Sequence, residues 1–150
     1  MICRAAIASA KQSTAVQLLG NYRLDMDAVG EYSIAFNSET PIPWDVVADD
    51  TSGLLVSGAT TITAPAGTVY GIATGYTRDS GTANAFGKII LKRNGGQLMN
   101  QTNHNGDYFT LIVAGAFSCD PGDTFVLAAT ADGSTSDIQE DSAFSVAFYG

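Results

Sequence analysis

Basic side chains are scarce. The 150 residues hold seven Lys and Arg against fifteen Asp and Glu, a formal net charge of −8. Phosphate binding needs a dense cationic surface, so nucleic acid is excluded as a partner. Arg4, Lys11, Arg23 and Arg78 are dispersed, and only Lys88, Lys92 and Arg93 fall close together. That trio reads as a solvated strand end, with a small local basic spot as the other reading. Histidine occurs once, as His104, and cysteine twice, as Cys3 and Cys119. One His and two distant Cys cannot make a standard zinc site. No Gly-x-Ser-x-Gly elbow, phosphate loop or dinucleotide fingerprint is present, so no catalytic residue, metal or cofactor is assigned. His104, in Asn103-His104-Asn105-Gly106, reads as a loop or interface histidine, and the chain as not an enzyme.

Long apolar runs are missing too. Ala5-Ala6-Ile7-Ala8 behind Arg4 has the outline of a signal peptide, but it is too short for an h-region and far too short to span a bilayer. The expectation is a protein made in the cytoplasm with no membrane partner. Two unpaired thiols suit that compartment, since a bridge from the terminal Cys3 to Cys119 would need a coincidence of geometry. The Asn100-Gln101-Thr102 sequon reads as chance.

What is present is small, β-branched and apolar. Hydrophobic residues make up 45% and charged ones 15%, with 16 glycines. That balance argues against disorder and suits pleated sheets with tight turns. The length is that of one domain able to bury a sizeable core without a metal or disulfide.

Residues 1–32 read as an N-terminal arm and 33–150 as the domain. The arm has no acid before Asp25 and shows no strand alternation. Ser13 to Gly20 reads either as one or two capped helical turns or as an extended segment. Val16, Leu18 and Leu19 must then lie against the arm's own sandwich or a neighbour.

Beyond Tyr32, strands are expected over 33–37, 44–48, 54–57, 60–64, 68–77, 86–93, 97–102, 108–117, 124–130 and 143–149. Turns separate them at Pro65-Ala66-Gly67, Asn94-Gly95 and Asp120-Pro121-Gly122, among others. Asn94-Gly95 is the best local hairpin signal. Phe125, Leu127 and Ala129 alternate with smaller residues, as do Phe144, Val146 and Phe148, and both sets read as core. Around Val69 and Tyr70 both faces read as buried or half-buried, and Trp44 as packed inside the sandwich. Acids such as Asp49-Asp50 and Glu140-Asp141 fall in loops and read as solubilising, although oxygen-rich loops also hold Ca²⁺.

Four stretches in order carry a family likeness: Pro43-Trp44-Asp45-Val46-Val47; Ala64-Pro65-Ala66-Gly67-Thr68-Val69-Tyr70; Cys119-Asp120-Pro121-Gly122-Asp123-Thr124-Phe125-Val126; and the closing Ser142-Ala143-Phe144-Ser145-Val146-Ala147-Phe148. From about residue 40 onward the chain resembles the C1q/TNF-like jelly-roll superfamily, especially C1q-type domains of bacterial and phage structural proteins. It departs at Val146, where a glycine is usual. The resemblance implies an all-β jelly-roll β-sandwich that forms homotrimers. With the arm, it implies a phage capsid decoration or cement protein on the virion surface, whose partners are itself and the major capsid protein. The alternative is a trimeric receptor- or glycan-binding tip with aromatic loop residues such as Tyr76 and Phe86. The residues expected at oligomer or capsid contacts are Val16, Leu18, Leu19, Tyr22, Tyr70, Tyr108 and Tyr149.

Overall fold

The computed structural model describes residues 15–26, 32–34, 38–51, 53, 55–81, 86–103, 108–132 and 136–150. Every element in it is a strand: β1 (Leu18–Asp25), β2 (Tyr32–Ile34), β3 (Thr40–Pro41), β4 (Val46–Asp50), β5 (Ile62–Thr63), β6 (Tyr70–Gly81), β7 (Phe86–Arg93), β8 (Gly96–Asn103), β9 (Tyr108–Ser118), β10 (Thr124–Asp132), β11 (Ser136–Ile138) and β12 (Ala143–Tyr149). They form two antiparallel sheets. In the larger, β12 lies between β6 and β1, β4 follows β1, β11 and β2 continue beside β6, and β9 covers the other side of β6. The smaller runs β3-β10-β7-β8, with β5 also on β10.

The turns are those their residues dictate. Asn94 and Gly95 both have positive φ, as a two-residue hairpin between twisted strands requires. At Asp120-Pro121-Gly122, Pro fixes the first central φ, Gly122 takes φ 88°, and the N–H of Asp123 closes on the carbonyl of Asp120 at 3.1 Å. At Pro65-Ala66-Gly67, Gly67 takes φ 86° and the N–H of Thr68 closes on the carbonyl of Pro65 at 3.4 Å, with Ala66 at the first central position.

Between the sheets, period-2 alternation builds one core. Phe144, Val146 and Phe148 of β12, Leu24 of β1 and Leu111 and Val113 of β9 meet Phe125 and Leu127 of β10 and Ile89 and Leu91 of β7. Trp44 is fully buried and stacks on Phe144 at 6.3 Å. Cys119 is buried and free, and its burial pushes the thiol pKa up. Cys3 lies outside the described residues.

Several expectations need correction. The boundary at residue 32 does not separate an arm from the sandwich, because β1 is an interior strand paired with both β12 and β4. Neither a helical turn nor an extended arm holds from Leu18 on; Gly20, Tyr22, Leu24 and Met26 alternate inward, away from Asn21, Arg23 and Asp25. Residues 55–57 are not a strand, and β11, which was not expected, is.

Candidate functional site

The same alternation that sends Phe144, Val146 and Phe148 inward turns Ala143, Ser145, Ala147 and Tyr149 to the outer face of the larger sheet. Antiparallel register carries this across the neighbours in rows. Tyr149 is opposite Tyr70, which is opposite Ser118; Ala147 is opposite Ile72, then Ala116; Ser145 is opposite Thr74, then Ala114; Ala143 is opposite Tyr76, then Ile112. Three strands spaced about 4.8 Å apart and four rows of residues give a patch of roughly 10 by 20 Å between backbone axes.

No side chain in these rows is charged. Ile72 is 42% exposed and Ile112 52%, and Ala114 and Ala116 are also open to solvent. Tyr70 and Tyr149 are half-buried because their rings stack on each other at 4.9 Å and 9°. Charge begins only at the margins. Arg23 of β1 meets Asp25 at 2.8 Å, and Arg78 of β6 meets Asp141 at 3.7 Å. The face is contiguous, uncharged and partly apolar, the chemistry that an interaction surface presents.

The expected contact residues scatter. Tyr70 and Tyr149 lie together on this face. Val16 and Leu18 are exposed at the end of the sandwich where Gln17 and Gly150 exchange backbone hydrogen bonds of 2.9 and 3.0 Å, and Leu18, opposite Tyr149, borders the face there. Leu19 is half-buried, 3.6 Å from where a Cβ on Gly67 would stand. Tyr108 pairs with Ser80 at the far end of β9, and its side chain is outside the described residues. Tyr22 is corrected: only 4% exposed, its ring packs edge-on against Phe148 at 5.7 Å inside the core, so it cannot meet a partner. Ile72, Ile112, Ala114 and Ala116 were missed. The face around β6, expected to be buried on both sides, is open on one in the single chain.

The basic trio is spoken for in part. Lys92 pairs with Glu39, and Arg93 lies 3.8 Å from Asp123 and donates to the carbonyl of Ser118. His104 lies outside the described residues. Among those described, no group of three or more His, Cys, Asp or Glu is placed to hold a metal, and no helix is long and apolar enough to cross a membrane.

Solved structures share this architecture. Murine APRIL at pH 5.0 superposes with a TM-score of 0.64 at 12% identity, over 86% of this chain and 98% of that one. The globular domain of zebrafish complement 1qA protein superposes with a TM-score of 0.58 at 9% identity, over 87% and 95%. The fold is a C1q/TNF-like jelly roll. No family model and no curated protein sequence matches the chain. At such identities the likeness is one of fold, and function must be argued from the surface.

Proposed function

We propose that the protein is a non-enzymatic structural module that assembles with copies of itself through the outer face of the larger sheet, as a homotrimer, and that the trimer decorates the surface of a phage capsid. One observation carries the reading: Ile72, Ile112, Ala114 and Ala116 stand open on an uncharged face of a chain whose net charge is −8. Acidic copies repel one another least where no charge sits, and that is also where apolar area is left to bury. Small side chains let a flat face approach closely.

Attachment to a capsid rests on the C1q-type resemblance and on Val16 and Leu18, exposed at the end of the sandwich away from the middle of this face. Three such ends in one assembly make weak single contacts sufficient. The test is sedimentation of the full chain across 1–100 µM (a range of order set by typical affinities), then co-sedimentation with undecorated capsids. Ile72→Lys is expected to yield a folded chain that no longer forms the trimer, and Val16→Asp a trimer that no longer pellets with capsids. A wild-type chain that stays monomeric across the range overturns the reading, and a trimer that ignores capsids overturns its second half.

A further inference from the structure

Among the described residues the larger sheet ends at β9, an edge strand of eleven residues, Tyr108–Ser118, with no charged or proline residue. Its pairing with β6 runs without a register shift. Long, regular, uncharged edges are templates for a further strand, and proteins ordinarily blunt them with Lys, Pro or a bulge. Here the only blunting devices among the described residues are two side chains reaching over from the smaller sheet.

Their positions define which backbone groups remain open. Gln101 of β8 accepts the N–H of Ile112, which shows that Ile112 turns its backbone away from β6. By alternation Thr110, Ala114, Ala116 and Ser118 do the same. Arg93 of β7 donates to the outward carbonyl of Ser118, in agreement. The capped groups are therefore one donor, at Ile112, and one acceptor, at Ser118. Between them the N–H and C=O of Ala114 and of Ala116 have no partner among the described residues.

We infer that β9 pairs antiparallel with β9 of a second copy, with Ala114 opposite the partner's Ala116. This register places a two-fold axis at Gly115 and sets Ile112 opposite the partner's Ser118. The capped donor then faces the capped acceptor at both ends, so neither cap leaves an open group stranded. Shifting the axis to Ala114 sets the carbonyl of Ala116 against the occupied N–H of the partner's Ile112. Shifting it to Ala116 sets the N–H of Ala114 against the occupied carbonyl of the partner's Ser118. Only the Gly115-centred register satisfies all four central hydrogen bonds. A two-fold contact of this kind is closed and self-complementary. It uses backbone at the margin of the outer face, so it stands apart from the face contact proposed above and is separable from it by mutation.

Amide hydrogen exchange on the full chain, with Ile72→Lys present to remove association through the face, tests the pairing. At high concentration Ala114 and Ala116 are expected to be protected at least tenfold more than after dilution, while Ile112 is unchanged because Gln101 already holds it. Ala116→Pro removes one outward N–H and is expected to abolish that concentration dependence. Should that variant not fold, cross-linking decides instead. Ala114→Cys with Ala116→Cys in one chain gives a disulfide-linked dimer under mild oxidation, and Ala114→Cys alone does not. Exchange at Ala114 and Ala116 that is independent of concentration, or a dimer cross-linked equally by Ala114→Cys alone, overturns the inference. A dimer of Ile72→Lys that forms with rising concentration together with the Ala114 and Ala116 protection supports the edge pairing whatever becomes of the face contact; an Ile72→Lys chain that stays monomeric and unprotected at every concentration overturns the edge pairing and leaves the face contact standing.

Discussion

A Cβ added to Gly75 would lie 2.6 Å from Cδ1 of Leu127 and 3.0 Å from Cγ2 of Val113. Gly75 is on β6 and Leu127 on β10, so the two sheets approach closely here, and a bare backbone is what lets them. Leu127 is fully buried and cannot swing aside. Gly75→Ala is therefore expected to destabilise the fold by about 1–3 kcal/mol through overpacking. Urea denaturation measures this, with Gly96→Ala as the control, since a Cβ there meets nothing nearer than 3.5 Å. Equal midpoints for the two variants would show that the sheets can part.

Gly115 offers the opposite outcome from a shorter distance. Its Cβ would stand 2.3 Å from Cε of Met99. That atom is the end of a flexible, half-buried side chain with three rotatable bonds. Gly115→Ala is expected to cost under about 1 kcal/mol, with Met99 swinging outward. The methyl resonance of Met99 should shift while the urea midpoint barely moves. A loss as large as that of Gly75→Ala would mean that Met99 is locked in place.

Tyr22 is a core residue, and substitutions there act on stability. Its ring meets Phe148 edge-on, and its hydroxyl lies over Gly20, where a Cβ would be 2.8 Å from it. Tyr22→Ala is expected to cost about 3–5 kcal/mol, by analogy with other buried aromatic truncations. Tyr22→Phe keeps the ring contact and should cost far less. Chemical denaturation of both, with sedimentation at a concentration where each is folded, checks the assignment. A Tyr22→Ala chain of native stability but lower mass would return Tyr22 to an interface.

That residue also shows where the sequence was legible. Strands β7 and β12 fall at Phe86–Arg93 and Ala143–Tyr149, where alternation and turn residues put them. Asn94-Gly95 and Asp120-Pro121-Gly122 turn as their φ preferences demand. Strand β1 carries the same period-2 signal, Gly20, Tyr22, Leu24 and Met26 against Asn21, Arg23 and Asp25. It was obscured because Gly20 also reads as a helix stop and Ser13 as a cap. Strand β11 has three residues, too few to show a period, and is held by pairing with β2 and β6, both distant in sequence. The outer face needs more than alternation. Ile72 and Ile112 become neighbours only through the register of β6 with β9, which no local pattern carries. Tyr70 and Tyr149 could be guessed as contacts one at a time, but not as a stacked pair.

The turn before β10 gives a pH dependence. The carboxylate of Asp123 accepts the backbone N–H of Asp120 at 3.0 Å and the side-chain amide of Asn94 at 2.6 Å, with Arg93 3.8 Å away. The backbone bond first, then the Asn94 bond and the Arg93 charge, hold its pKa below the ordinary carboxylate value despite partial burial. A depressed folded pKa means that the unfolded chain takes up the proton first as pH falls. The stabilisation from Asp123 is thus complete at neutral pH and begins to fade near the ordinary value of about 4. It is gone once the folded carboxyl also protonates. Asp123→Asn removes the titration while keeping the shape. The wild-type advantage over it should be constant from pH 7 to about 5 and shrink steadily below about 4. Urea midpoints for both proteins at pH 7, 5, 4 and 3 measure that difference, and one that stays the same at every pH would mean the carboxylate adds nothing to the hold that Asn94 and Asp120 already have on the turn.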